Sequence, residues 1–458
     1  MLKSISSNAG NAIPLTVVDE RGFESWLKKI PARQRLWLKS TGFSGEHGKF
    51  VLVPGSAGRA TKVVVGASFE HDPIWALASM PFALPEGRYK LDSRVNADIA
   101  TQVALGWALG AYTYSRYKKQ LRKPAILVWP KRADRDEVER LAKAIFLARD
   151  LINTPAEDLG PPELAAAAKS VAKEFGARIR VIVGDQLLKE NYPTIHAVGR
   201  AASKPPCLID LRWGDERAPK VTLVGKGVCF DSGGLDLKSA SGMLQMKKDM
   251  GGGAVVLALA SALMAANTKI RLRVLIPAVE NSVSGNAIHP RDVVRTRSGK
   301  TVEIGNTDAE GRLILCDALF EADSEKPDLL IDCATLTGAA RVALGPEVHA
   351  MFSRDNGLAD ELVRAGEAES DPLWRLPLWQ PYRRLIDSKI ADFNNVSTAG
   401  FAGAIIAAVY LAEFVKPSTA WAHLDIAGAT VSARPGRPEG GEATGLRALY
   451  RVIRRRYA

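Results

Sequence analysis

Between Arg178 and Ala427, six buried-looking runs alternate with helical stretches: RIRVIVG, PCLIDLRW, KVTLVGKG, IRLRVLIPA, DLLIDCATL and TAWAHLDIA. Strands of this kind, separated by helices, belong in a sheet covered on both faces by helices. That architecture has a chemical consequence. Ligands of such sheets gather at the loops beyond the strand ends, so charged residues placed there need an explanation.

The first third of the chain alternates KFVLVPG, TKVVVGAS and PAILVWP with helical patches such as ADIATQVALGWALGAYTYSRY, the pattern of a small α/β domain. After it, Val138, Leu141, Ile145 and Leu147 recur at helical spacing, and the Asn-Thr-Pro and Gly-Pro-Pro breakers end one helix before the next. A chain of 458 residues exceeds one ordinary core, since domains run to roughly 100–200 residues. The expected organisation is α/β with two domains. A smaller, basic N-terminal α/β domain covers 1–133 and a connecting helix covers 134–156. A larger catalytic α/β domain, with a mixed central sheet covered by helices, covers 157–458.

With 47% hydrophobic and 24% charged residues the composition excludes a disordered or fibrous chain. No apolar run approaches the roughly 20 residues that cross a bilayer, and AVVLALASALMAA and GAIIAAVYLA read as buried helices. The N-terminus lacks the apolar core and cleavage site of a signal peptide, so the expectation is a cytoplasmic protein without a membrane partner. Cys207, Cys229, Cys316 and Cys333 form no CxxC pair, and the six histidines show no HExxH or HxH spacing. Any metal must be held by other ligands. Residues 1–132 contain 20 of the 62 Lys+Arg but 9 of the 50 Asp+Glu, so a surplus of 11 within the net +12 lies in the first third. Scattered basic residues more often solvate a surface than bind a polyanion.

Three segments place charge at strand ends: VTLVGKGVCFDSGGLDLKSA, MLQMKKDMGGGAVVLALA and NTDAEGRL. They carry Lys226, Asp231, Lys238, Asp249, Asp308, Glu310 and Arg312. Four carboxylates in one cavity repel unless cations neutralise them, and two divalent ions supply the missing charge. Oxygen ligands favour Mg²⁺, Mn²⁺ or Zn²⁺, and two such ions, typically about 3.5–4 Å apart, activate a shared water and polarise a carbonyl.

NTDAEGRL, together with GKGVCFDSGG, KDMGGGA, DCATLTGA and WAHLDIAG in order, strongly resembles the leucyl aminopeptidases, cytosolic two-metal exopeptidases also called leucine aminopeptidase or aminopeptidase A. The resemblance covers roughly Val221 to Gly428; the first third carries none of the family's motifs. It implies one metal held by Asp231, Asp308 and Glu310, and a second by Lys226, Asp231, Asp249 and Glu310. Lys226 would ligate as a neutral amine, its pKa lowered by burial beside two dications. Lys238 would stabilise the oxyanion, and Arg312 would hold a bicarbonate acting as general base. The implied reaction is removal of the N-terminal amino acid from a peptide by a hydroxide bridging two Mn²⁺ or Zn²⁺ ions, with Mg²⁺ admitted at one site. Met246, Thr335, Leu336 and Gly338 would line the pocket of the first residue, leucine or another apolar side chain. A homo-hexamer with inward-facing sites is also implied.

Two departures bear on loop geometry and side-chain preference: Ser239 stands where family members commonly have proline, and the Lys247-Lys248 pair is unusually basic. Taken singly, each candidate has a bland explanation. Asp249 could answer a helix dipole, Asp308 and Glu310 could form a surface pair with Arg312, and the glycines could serve tight turns. His423 lies in an apolar run and reads as a satisfied core residue. A competing class, a nucleic-acid-binding protein using the basic first third, finds no helix-turn-helix or aromatic-basic motif.

Overall fold

The computed structural model describes residues 2–56 and 58–458. The chain divides into two compact units, one ending at Phe146 and taking in Ser432–Glu439, the other comprising Leu147–Val431 and Gly440–Ala458. The helix Arg135–Asn153 runs across that division. The return of Ser432–Glu439 to the first unit has no counterpart in the expected boundaries.

In the first unit, β1 (Ile5–Ser6), β2 (Ile13–Val18), β3 (Phe50–Pro54), β4 (Ala60–Gly66), β5 (Arg88–Leu91) and β6 (Ile126–Val128) form one sheet, ordered β1-β6-β5-β2-β4-β3. All pairs are parallel except β3 with β4. The β-branched run Val63-Val64-Val65 is fully buried, as the both-faces-covered geometry of a parallel sheet requires. The helix expected to continue to Tyr117 stops at Gly110. Beyond it, Thr113, Tyr114, Ser115 and Tyr117 favour helix less than the Ala/Leu-rich stretch before.

The second unit carries β7 (Arg178–Val183), β8 (Cys207–Trp213), β9 (Lys220–Gly225), β10 (Gly227–Asp231) and β11 (Arg271–Asn281). There follow β12 (Val293–Arg295), β13 (Thr301–Glu303), β14 (Leu329–Ala334), β15 (His349–Ser353), β16 (Leu373–Arg375), β17 (Phe393–Asn394), β18 (Trp421–Asp425), β19 (Ala429–Thr430) and β20 (Gly440–Gly441). The main sheet runs β16-β15-β18-β14-β9-β11-β8-β7, with β10 added beside β11. Its centre, β18-β14-β9-β11, is parallel, while β15 and β8 join it antiparallel, so the sheet is mixed. The carboxyl ends of β9, β14 and β18 therefore share one edge.

Helices cover the sheet in two layers. Pro193–Gly199, Glu310–Ser324 and Gly403–Ala412 pack with Val224, Leu275, Leu330 and Ala334 in one apolar cluster. Gly251–Ala265 packs with Pro161–Phe175 and Leu446–Arg456 and leans on β9 and β14. The stretch Met246–Ala265 is long and apolar enough to cross a membrane, yet 89% of its most apolar window is buried inside the protein. It is a core helix. All four cysteines are buried and free, pushed by burial above their ordinary pKa.

Candidate metal centre

The charged residues converge where the parallel strands end. β9 stops at Gly225, β10 begins at Gly227, and Lys226 is the break between them. Its N–H donates to Cys333 O at 3.0 Å and its carbonyl accepts from Gly253 N at 2.7 Å. With both backbone groups tied to flanking elements, the side chain is directed inward and is buried. Asp231 closes β10, Asp249 lies in the 3-10 turn Met246–Met250 that leads into the helix Gly251–Ala265, and Glu310 opens the helix Glu310–Ser324.

Each lysine bridges two acids. Lys226 Nζ lies 2.7 Å from Asp249 Oδ2 and 2.8 Å from Glu310 Oε1, and donates to Thr335 O at 3.1 Å. Lys238 Nζ lies 2.8 Å from Asp231 Oδ2 and also pairs with Asp308 Oδ1. Although Lys226 is within ionic distance, neither Asp249 Oδ2 nor Glu310 Oε1 receives a hydrogen bond of proper geometry. These two buried carboxylate oxygens thus face the Lys226 amine, with no other donor among the described residues.

Four acids against two ammonium groups leave the cluster short of positive charge. Burial, then the neighbouring Asp231, pushes Glu310 up to about 8, and burial also raises Asp308. Burial opposes the charge of Asp249 as well, but the Lys226 ammonium holds it below the usual range. For Lys226 burial works downward, and Asp249, Glu310 and Asp231 outweigh it, keeping the amine protonated. Lys238, whose charge burial likewise disfavours, is carried up to about 12 by Asp231 and Asp308. A cation would relieve this imbalance. Asp231, Asp308 and Glu310 each offer an oxygen within 4.8 Å of the others. An all-oxygen set of this kind fits hard or borderline divalent ions.

Arg312 sits one turn into the same helix as Glu310 and is buried. Its Nη1 donates to Asn395 O at 2.7 Å, its Nε has no partner, and among the described residues no carboxylate pairs with it. Burial lowers its pKa. Thr335 Oγ1 donates to Asp249 Oδ1 at 2.8 Å, and the N–H groups of Leu336 and Thr337 donate to Asp425 Oδ1 at 3.0 and 3.1 Å. Gly338 then starts the helix Gly338–Leu344, and Met246 starts the turn that carries Asp249. All eleven candidate site residues lie in segments joined by these contacts.

Several positioning residues lie outside the charged motifs. Asn281, the last residue of β11, donates to Asp231 Oδ1 (2.9 Å) and to Thr307 O (3.1 Å). Thr307 donates to Gly233 O (2.6 Å) and accepts from Asp236 N (2.9 Å), latching two acidic loops together. Asn395 donates to Asn306 O (2.7 Å) and accepts from Gly305 N (2.8 Å). The signal available for Asn281 was a polar residue at the end of an apolar strand; Asn395, from a distant segment, offered none. His423 is buried in the core as expected, with Nδ1 2.6 Å from Asp332 Oδ1, but its Nε2 lacks a partner, so it is only half satisfied.

A family model described as "Cytosol aminopeptidase family, catalytic domain" matches residues 146–450, and one described as "M17 aminopeptidase, N-terminal domain" matches residues 13–130. The chain belongs to the cytosol aminopeptidase family. Its first third, which displayed no family motif, is thereby matched as well. A relative from Geobacter sp. (strain M21) named "Probable cytosol aminopeptidase" is 38% identical over 449 residues, covering 94% of this chain and 87% of the relative. One of the same name from Rhizobium rhizogenes is 40% identical over 379 residues, 78% of this chain and 75% of the relative. The crystal structure of a cytosol aminopeptidase from Coxiella burnetii is 47% identical and superposes with a TM-score of 0.95 over 98% of each chain. The bottromycin maturation enzyme BotP in complex with Mn is 34% identical, with a TM-score of 0.87, covering 97% of this chain and 99% of that one. This cytosol aminopeptidase family chain is accordingly an exopeptidase hydrolase of the metal-dependent kind.

Proposed function

We propose that the centre holds two divalent cations and hydrolyses the first peptide bond of a peptide bearing a free N-terminus. Asp231, Asp308 and Glu310 would hold one ion and Lys226, Asp231, Asp249 and Glu310 the other, with Asp231 and Glu310 shared; Mn²⁺ is the first candidate, with Zn²⁺ and Mg²⁺ as alternatives. When bound, such ions lower the pKa of a water and polarise a carbonyl oxygen. One observation carries this assignment: Asp231, Asp308 and Glu310 each offer an oxygen within 4.8 Å of the others, and Glu310 shares the buried Lys226 amine with Asp249.

The chain's own groups have distinct tasks. Lys226, a counter-ion to Asp249 and Glu310 here, would have to give up one proton to serve as a ligand, and its hydrogen bond to Thr335 O would orient the amine. Lys238, now paired with Asp231 and Asp308, would keep its proton and be the donor for the oxyanion that forms at the scissile carbonyl. Arg312, a buried cation without a carboxylate partner, suits a bicarbonate that takes the proton of the attacking water. Met246 and Leu336 are the apolar members of the pocket for the first side chain, the feature that supports a leucine-like preference. A cytosolic hexamer is the assembly and location we assign by resemblance, checked by sedimentation and fractionation.

Cleavage of amino-acid p-nitroanilides should vanish in a chelator, return with Mn²⁺ or Zn²⁺, and fall at least about a thousandfold in Glu310→Ala. Full activity in the chelated protein or in that variant would overturn the two-metal assignment.

A further inference from the structure

We infer that the first unit carries a second ligand site, at the carboxyl edge of its own parallel sheet, shaped for a nucleoside phosphate. β1, β6 and β5 lie side by side and parallel, and the ends of β5 and β6 with the segments that follow them wall a cavity of 660 Å³. Ligands of open parallel sheets collect at this edge, and the volume falls within the roughly 300–1,000 Å³ of small-molecule sites. None of its lining residues belongs to the metal centre.

Lys90 and Arg94 line the cavity from the β5 side, Lys131 and Arg132 from the β6 side. Among the described residues none of these four side chains forms an ion pair or a hydrogen bond. The surplus of 11 positive charges in residues 1–132 is therefore not merely scattered, since four cations share one concavity. With only Asp92 as an acid among them they call for an anion, and the planar guanidinium groups match the oxygen fork of a phosphate.

The backbone of Arg132 is a second, independent sign. It is the third residue of the turn 130–133, which Ala133 N closes by donating to Pro130 O at 3.2 Å, and its φ of 70° lies in the left-handed region. Glycine is the ordinary occupant of such a position, and an arginine there is strained. Strain of this kind collects where a side chain serves binding rather than the fold. The loop after β5 is preformed, because Asp92 N donates to Leu15 O at 2.8 Å and Ser93 Oγ accepts from Val17 N at 3.1 Å.

Two further lining residues say what accompanies the phosphate. Asp92 pairs only loosely with Lys62, at 3.7 Å, and its side chain is 50% exposed, so its carboxylate is open to accept sugar hydroxyls. It would repel a bare anion. The indole of Trp129 is steadied by the Arg135 guanidinium, 5.5 Å from the ring centroid, and Arg135 in turn donates to Ser7 Oγ at 3.2 Å. A fixed aromatic plane beside the cations offers a stacking surface to a base. Cations, an acid and an aromatic plane thus answer to phosphate, ribose and base.

Calorimetric titration of the Mn²⁺-loaded protein, in buffer without free metal, with ADP, adenosine and inorganic pyrophosphate tests this site. ADP should bind at least about tenfold more tightly than either fragment, with an affinity that falls as salt rises. Arg94→Gln should weaken ADP binding by about tenfold. Arg132→Gly, which keeps the left-handed turn and removes the guanidinium, should do the same, and both variants should cleave leucyl p-nitroanilide as the parent does. Glu310→Ala, directed at the metal centre, should leave ADP affinity unchanged, which separates this site from phosphate bound by Mn²⁺. Absence of ADP binding at low salt, pyrophosphate binding as tightly as ADP, loss of binding in Glu310→Ala, or indifference to both arginine substitutions would overturn the inference. A single-stranded oligonucleotide that displaces ADP at tenfold lower concentration would overturn it too, marking a nucleic-acid surface instead.

Discussion

Gly311, the single glycine of NTDAEGRL, makes room for the Lys226 side chain. A Cβ at this position would lie 2.6–2.8 Å from Cε, Cδ and Nζ of Lys226, whose backbone is pinned on both sides and cannot retreat. Gly311→Ala should leave the fold in place yet weaken Mn²⁺ binding by about tenfold or more, as displaced ligands do; unchanged affinity in calorimetry would show that Lys226 need not occupy that space. Glu310 gives a pH dependence with a definite sign. Its folded pKa of about 8 exceeds the ordinary 4.5, so the folded state holds the extra proton between those values. The associated stability is complete below about 4.5 and is lost as pH rises through about 8. The metal-free protein should therefore lose melting temperature between pH 5 and 9, and Glu310→Gln should flatten that slope. Mn²⁺ binding should also release more protons at pH 7 than at pH 9, measured in buffers of different ionisation enthalpy. The identities of the acids and lysines were legible from their positions at strand ends. Their pairing was not, because each lysine could have met any of the four acids.

At the scale of elements, the helix Gly251–Ala265 resolves a conflict between local and tertiary preference. Three glycines at its start cost roughly 1 kcal/mol each relative to alanine. Full burial of Val255, Val256, Leu257, Leu259 and Leu263, worth roughly 1.5–3 kcal/mol apiece as an upper estimate, outweighs that penalty. The glycines are needed for close approach: a Cβ on Gly252 would lie 2.1 Å from the backbone oxygen of Cys333. Gly252→Ala must move either the helix or β14, and should cost about 1–3 kcal/mol in urea unfolding, with weakened metal binding. Strongly patterned elements such as β9, β11, β14 and this helix were legible from apolar runs and breakers. The end of the helix at Gly110 was not legible, because apolar spacing continues where helix propensity falls. Short strands such as β12, β13, β16 and β17 carry two or three residues each, too few for any period to register.

For the whole molecule, cations that bind only the folded centre must stabilise the chain by mass action, about 2.7 kcal/mol at a hundredfold excess over Kd. Saturating Mn²⁺ should raise the melting temperature and a chelator should reverse it, with both effects absent in Glu310→Ala; a melting temperature indifferent to Mn²⁺ would count against the centre. The family match extends over both units, including the first third. What the sequence determined by itself was the class of sheet and the kinds of ligand, because burial pattern and residue chemistry are written in each segment separately. Only the tertiary structure decided that Lys226 meets Asp249 and Glu310 while Lys238 meets Asp231 and Asp308, and that Asn281 and Asn395 brace the acidic loops. Those outcomes depend on strand order and on the distance between segments remote in the chain, and no local pattern encodes either.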